Sequence, residues 1–224
     1  MHDTVRHSGQ GSKMVRHVKP HRDVIVSAAM HEFASKGYAG ATTVAIAKRA
    51  RVTQPLIHHH FGSKAKLWAH VLAELFSALT SALRRADDPR GGERARIERL
   101  LRTVVAFSAE RPELSRLIRL ESAGGGAPFE HLYREHLEPL VEFFESIVHD
   151  AIAAGHMRRA PRGFIYFATI GLCTQLFSEP ATAKRAFGLD PRAPKTAAAY
   201  ADFAVGVFFD ALWITSPRAS RAPS

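Results

Sequence analysis

Four side chains suited to a nucleic-acid groove stand close together in this chain: Gln54, Pro55, His58 and His59. A glutamine amide pairs bidentately with the edge of adenine, and a proline ring touches a thymine methyl. An imidazole can donate to a phosphate oxygen. Such residues read a groove only when a short helix presents them outward while its other face is buried. Ile57 and Phe61, four apart, supply the buried face, and Ile46, Ala47, Ala50 and Val52 continue the same seam. Ala47 is small where two helices must cross closely, and Val52 plugs the turn. The segment Thr42–Phe61 therefore reads as helix, tight turn, helix, with helices over Thr43–Ala50 and Gln54–His60. Thr42 and Thr53 stand at the N-cap positions. The Thr53 hydroxyl is read first as a helix cap and second as a DNA contact.

The elements that must hold this pair are legible on either side. Arg22–Lys36 is a first helix with Val24, Ile25, Ala28, Ala29 and Phe33 inward, stopped by Gly37 in a left-handed conformation. Ser63 caps a long helix from Lys64 to about Ala86. Charge points to the same third of the chain. Residues 1–66 hold 11 Lys/Arg against 3 Asp/Glu, whereas residues 67–224 hold 20 against 18. That third also carries 8 of the 13 histidines, so an electropositive surface suited to a polyanion lies there.

These residues carry a resemblance. Thr42, Ile46-Ala47, Ala50-Arg51-Val52-Thr53, Ile57-His58-His59-His60-Phe61, Ser63-Lys64 and Leu67, with Phe33 and Gly37-Tyr38 upstream, follow the pattern of the tetracycline-repressor (TetR) family over about residues 22–67. The resemblance implies an all-α fold, a three-helix DNA-binding domain followed by a larger helical domain that binds ligand and dimerises. It implies that Thr42 and Thr43 contact phosphate, and that Gln54, Pro55 and His59 enter the groove. His58, His60 and Lys64 fall where backbone contacts are made. Val44 falls where some relatives carry a base-reading arginine, so here it offers apolar contact only. Two residues depart from the family: Arg51 stands for the turn glycine and His58 for a tyrosine. A positive φ at Arg51 costs about 1 kcal/mol, which a phosphate contact would offset.

The rest of the chain is a run of helices punctuated by proline and glycine. Helices are expected at Glu93–Glu110, Pro112–Ala123, Pro128–Gly155 with a kink or division at Pro139, Arg162–Ser178 and Thr196–Thr215. One short helix fits between the last two. Residues 1–21 read as a flexible basic arm. Its Arg6, Lys13, Arg16 and Lys19, with Arg22 after it, either add minor-groove or phosphate contacts or form a leader before Met14. Residues 22–66 form the DNA-binding unit, 67–215 the effector-binding and dimerisation unit, and 216–224 a disordered tail.

Phe164, Phe167, Ala168, Gly171, Leu172 and Gln175 on the 162–178 helix, with Phe203, Val207, Phe208, Ala211 and Leu212 on the 196–215 helix, give the surface expected to pair with a second copy. The family's four-helix dimer bundle is what the resemblance implies there. An effector pocket is expected among Phe76, Phe107, Leu114, Ile118, Phe143 and Phe144, with Arg119, Glu121, Tyr133 and His136 as polar fixers. The effector itself is unidentified. Under the resemblance, its binding shifts the two recognition helices and releases a palindromic operator in double-stranded DNA.

Other classes fit poorly. The single cysteine, Cys173, permits no intramolecular disulfide and suits a reducing cytoplasmic setting. Residues 1–20 lack a signal-peptide core, and Ala201–Ile214 is too short for a membrane span and contains Asp202 and Asp210. His58-His59-His60 point about 100° apart on a helix, against shared metal ligation. Glu138, Glu142, Glu145 and His149 share a stripe, raising a helical-bundle metalloenzyme, but the Glu-x-x-His pairs are missing and a solvated acidic face explains it. No nucleophile set or phosphate loop is present, so neither an enzyme nor a cofactor is expected. The remaining rival is a DNA-binding helical protein without an effector.

Overall fold

The structure is a computed structural model, and it describes residues 21–214. Within that range the fold is built from helices alone, with one isolated antiparallel bridge between Met157 and Trp213. The helices are α1 His21–Gly40, α2 Thr43–Ala50, α3 Gln54–Phe61, α4 Lys64–Ala86, α5 Gly92–Glu110 and α6 Pro112–Gly124. There follow α7 Gly126–Leu132, a π-helical turn Tyr133–Leu137, α8 Glu138–Ala153, α9 Arg162–Ser178, α10 Pro180–Phe187 and α11 Pro194–Leu212. The all-α fold class read from the sequence holds. Residues 1–20 and 215–224 lie outside the described residues, and with them the expectations for Arg6, Lys13, Arg16, Lys19 and residues 216–224.

Two apolar cores sit in series. The first gathers α1, α2, α3 and the first half of α4 around Phe33, Ile46, Ile57 and Leu67, with Leu114 and Leu117 of α6 closing its far side. Trp68 sets its ring edge-on to Phe33 at 4.9 Å, which fixes α4 against α1. The second core gathers the end of α4 with α5, α8, α9 and α11 around Val105, Val148, Cys173 and Phe208. Nothing interrupts the chain at residues 66–67. α4 runs straight through, and Trp68, Val71, Leu72 and Leu75 belong to the first core.

Three boundaries differ from expectation. Gly37 takes φ 69° and ψ 176°, so it kinks α1 rather than ending it, and a last turn continues to Gly40. The long helix divides before Pro139, at Tyr133–Leu137, where the Glu138 amide donates to Tyr133 O. Proline has no amide to give the carbonyl four residues back and its ring crowds that carbonyl, so the preceding turn widens. The last helix stops at Leu212 instead of Thr215, because the chain turns extended to pair with the α8–α9 connection. There Arg158 N–H donates to Leu212 O and Ile214 N–H to His156 O, both at 2.8 Å.

Candidate nucleic-acid interface and ligand cavity

Local signals build the interface. Thr42 Oγ1 accepts the Ala45 amide at 3.1 Å and starts α2. Arg51 ends it at φ 56° and ψ 42°, the one non-glycine with positive φ among the described residues. Its amide donates to Lys48 O and the Val52 amide to Ala47 O, the paired bonds of a Schellman turn. The strain expected from an arginine in place of glycine is thus present, and its side chain is exposed. Ile57 and Phe61 are buried, so Gln54, Pro55, His58, His59 and His60 are turned to solvent.

Several side chains already have partners. Gln54 Nε2 donates to Thr43 Oγ1 at 3.0 Å across the crossing of α2 and α3. His58 Nδ1 donates to Gly62 O at 3.2 Å, which leaves Nε2 of the neutral ring as an acceptor. Lys64 Nζ lies 4.5 Å over the Tyr38 ring and donates to Ala39 O at 3.4 Å, so it is held at the kinked end of α1. Val44 is exposed beside this face. His60 is exposed too, its ring centroid 6.3 Å from that of Phe61.

Thr53 corrects an expectation. Its side chain makes no capping bond, because Pro55 has no amide to offer and the Leu56 amide goes to Thr53 O at 3.1 Å. The exposed hydroxyl is left free to face DNA.

Between the two cores lies a cavity of about 450 Å³. Phe76, Phe107, Leu114, Ile118, Arg119 and Phe143 line it, as does Phe144. Three expected fixers do not. Glu121 turns the other way and is buried at 6% exposure, where its Oε1 accepts the Tyr38 amide at 2.6 Å. A Cβ on Gly37 would stand 3.0 Å from that oxygen and push on it, and the φ of 69° there is itself one that favours glycine. His136 stacks on the outer side of Phe76 at 4.8 Å, its pKa lowered by burial and the neighbouring His131, and Tyr133 sits against Phe129. The residues missed are polar ones on α9. Thr169 is 4% exposed and its Oγ1 has no partner, while Ser178 Oγ pairs with Ser115 Oγ at 3.1 Å. Alternation of polar and apolar residues on so apolar a helix was the available sign. Cys173 also lines the cavity, its thiol pushed up to about 12 by burial.

Phe164 (73% exposed), Phe167 (75%) and Phe203 (61%) stand open on α9 and α11 with Val207, and Phe167 also lines the cavity. Phe208, expected on that face, points inward and lines the cavity. Among the described residues no group of three or more His, Cys, Asp or Glu comes together as metal ligands, and no helix is long and apolar enough to cross a membrane. Glu138, Glu142 and His149 are exposed, and Glu145 pairs with Arg162 at 3.1 Å.

Comparison with known proteins decides the family. The profile of bacterial regulatory proteins, tetR family, matches residues 25–71, and that of the tetracyclin repressor-like C-terminal domain matches residues 94–207, half of the chain. The chain belongs to the TetR family of bacterial regulators. Thr42–Phe61 is accordingly the helix-turn-helix of a DNA-binding transcriptional regulator. Among curated relatives, the nucleoid occlusion factor SlmA of Marinomonas sp. (strain MWYL1) is 28% identical over 104 residues, 46% of this chain and 53% of SlmA. The HTH-type transcriptional regulator BetI of Paraburkholderia phytofirmans is 34% identical over 115 residues, 43% of this chain and 58% of BetI. The chain spans about half the length of the curated relatives it matches. Among solved TetR-like folds, AibR in complex with isovaleryl coenzyme A and operator DNA superposes with a TM-score of 0.67. That likeness covers 84% of this chain and 97% of AibR at 18% identity.

Proposed function

We propose that this TetR-family protein is a homodimeric repressor that leaves a palindromic operator when a small molecule enters the 450 Å³ cavity. The observation that carries the reading is the double duty of α6. Leu114, Ile118 and Arg119 form part of the cavity wall, and Glu121 on the same helix holds the Tyr38 amide in the last turn of α1, just before the helix-turn-helix. A ligand that displaces α6 therefore shifts the DNA-binding unit, and DNA by linkage disfavours that ligand.

On DNA, Gln54, Pro55 and His59 read base edges, joined by the free Thr53 hydroxyl. Thr42, Thr43, Arg51, His60 and Lys64 anchor the backbone, and Val44 gives apolar contact. His58 stands among the anchors with its Nδ1–H held by Gly62 O and its Nε2 left over. The open phenylalanines of α9 and α11 are covered by a second copy, which sets two recognition helices about 34 Å apart or a multiple of that. The residues 22–66 and 67–215 act as reader and sensor, in the cytoplasm.

AibR, with its coenzyme A thioester and operator, supports effector and DNA acting on one such fold. The SlmA relatives favour a second reading, nucleoid occlusion through DNA binding without an effector. Selection of bound fragments from the source genome, followed by a metabolite screen for release, tests both. A single palindrome released by a metabolite is expected. Many dispersed sites with no release would carry the second reading, and no enriched palindrome would overturn the first.

A further inference from the structure

We propose, on the reading that the 450 Å³ cavity receives the effector, that the molecule received is an anion: an aliphatic or ring body ending in a carboxylate or phosphate held by Arg119. Among the described residues no carboxylate, lysine or histidine lines the cavity, and the two charged ones in its wall are both arginines, Arg111 and Arg119. An apolar enclosure whose formal charge is wholly positive favours an apolar body with a negative end.

Arg119 is the residue placed to take that end. Together with Ser178 it lines both this cavity and a second void of about 440 Å³ on the other side of α6, where His31, Arg49 and Arg116 stand with one carboxylate, Glu113. Arg119 and Ser178 therefore form the wall that the cavity and this cleft share. The guanidinium is held loosely, with Nη2 3.4 Å from Ser178 O and Nη1 3.7 Å from Glu179 Oε1, and its side chain is about half exposed. Five donors with so few close partners leave a fork free for a bidentate oxyanion. The Ser115 and Ser178 hydroxyls, 3.1 Å apart, lie at the same corner and can complete the acceptor's shell.

The placement also connects to release. Arg119 and Arg116 tie α6 to the C-terminal end of α9, through Ser178 O and Phe177 O. An anion that recruits Arg119 draws it from Ser178 and Glu179 and loosens that tie, two residues from the Glu121 grip on Tyr38.

Calorimetric titration of the full chain with decanoate, decyl phosphate and decanol, each below its micelle concentration, tests the assignment. At least one anion is expected to bind tenfold or more tighter than decanol, and which one distinguishes carboxylate from phosphate. Arg119→Gln is expected to bring that anion to within twofold of decanol while leaving decanol unchanged, and Arg119→Lys to restore at least part of the difference. Decanol binding as tightly as both anions, or an anion affinity indifferent to Arg119→Gln, would overturn the anion assignment and leave the cavity as an effector site. Binding of none of the three would overturn both.

Discussion

The Gln54 side-chain amide donates to the Thr43 hydroxyl oxygen at 3.0 Å, tying the recognition helix to the helix it crosses. One amide hydrogen is used in this bond. The second hydrogen and Oε1 remain for the N7 and N6 positions of an adenine, so Thr43 orients the reader without consuming it. Thr43→Val keeps the shape and removes the acceptor. Its affinity for the selected operator is expected to fall roughly fivefold more than its affinity for scrambled duplex, about the worth of one hydrogen bond, because scrambled duplex loses only the Thr43 phosphate contact. Gel-shift titrations on the two duplexes check this, and equal operator affinity in variant and parent would sink the orienting role.

Arg51 offers a test with opposite signs in two assays. At φ 56° an L side chain is strained by about 1 kcal/mol, so Arg51→Gly is expected to raise Tm by about 2 °C. The same change removes an exposed cation beside the turn. If it anchors a phosphate, DNA affinity falls and the slope of log K against log salt shrinks by about one unit. A stabilised variant with an unaltered salt slope would leave Arg51 without a role on DNA.

What could be read from the sequence is what local signals dictate. Thr42 and Ser63 as caps, the buried Ile57–Phe61 pair and Pro112 in a first turn fix α2, α4 and α6 within a residue, since each acts within four positions along the chain. The failures have longer range or need a neighbour's geometry. Glu121 was assigned to the pocket because it lies among pocket residues on α6, yet its partner is 83 residues away, and no spacing rule connects them. Thr53 failed as a cap because the proline two residues on has no amide to offer. The π-helical turn shows the same displacement, as the strain of Pro139 is relieved before the proline itself.

Glu32 predicts a pH dependence. It is buried in α1, with Lys36 Nζ at 2.9 Å and Arg49 Nε at 3.3 Å from α2. The Lys36 bond, helped by Arg49 and opposed by burial, holds its pKa below the ordinary 4.5. A depressed carboxyl stabilises the fold above its unfolded value, and that contribution is lost as pH falls through the folded value. Glu32→Gln is expected to cost about 1–2 kcal/mol at pH 7, discounted because both cations are half exposed, and progressively less below pH 4.5. Urea midpoints from pH 7 to pH 3 would reveal it, and a deficit constant across that range would refute the linkage.

Glu121 and Tyr38 give the test of coupling itself. The carboxylate is buried against Gly37, accepts the Tyr38 amide at 2.6 Å and sits on the helix that walls the cavity. Glu121→Ala removes the grip at a residue that does not line the cavity, so probe binding is expected to stay within twofold of the parent. The loss of operator affinity caused by saturating probe is expected to shrink at least fivefold, which lies within the ordinary range of allosteric coupling. Glu121→Gln keeps an oxygen acceptor for the Tyr38 amide and is expected to retain most of that loss. Anisotropy titrations of labelled operator, with and without probe, measure both quantities in one experiment. A Glu121→Ala protein that still releases DNA as fully as the parent would show that the signal leaves the cavity by another route, with α4, which runs unbroken from Lys64 past Phe76, as the element to examine.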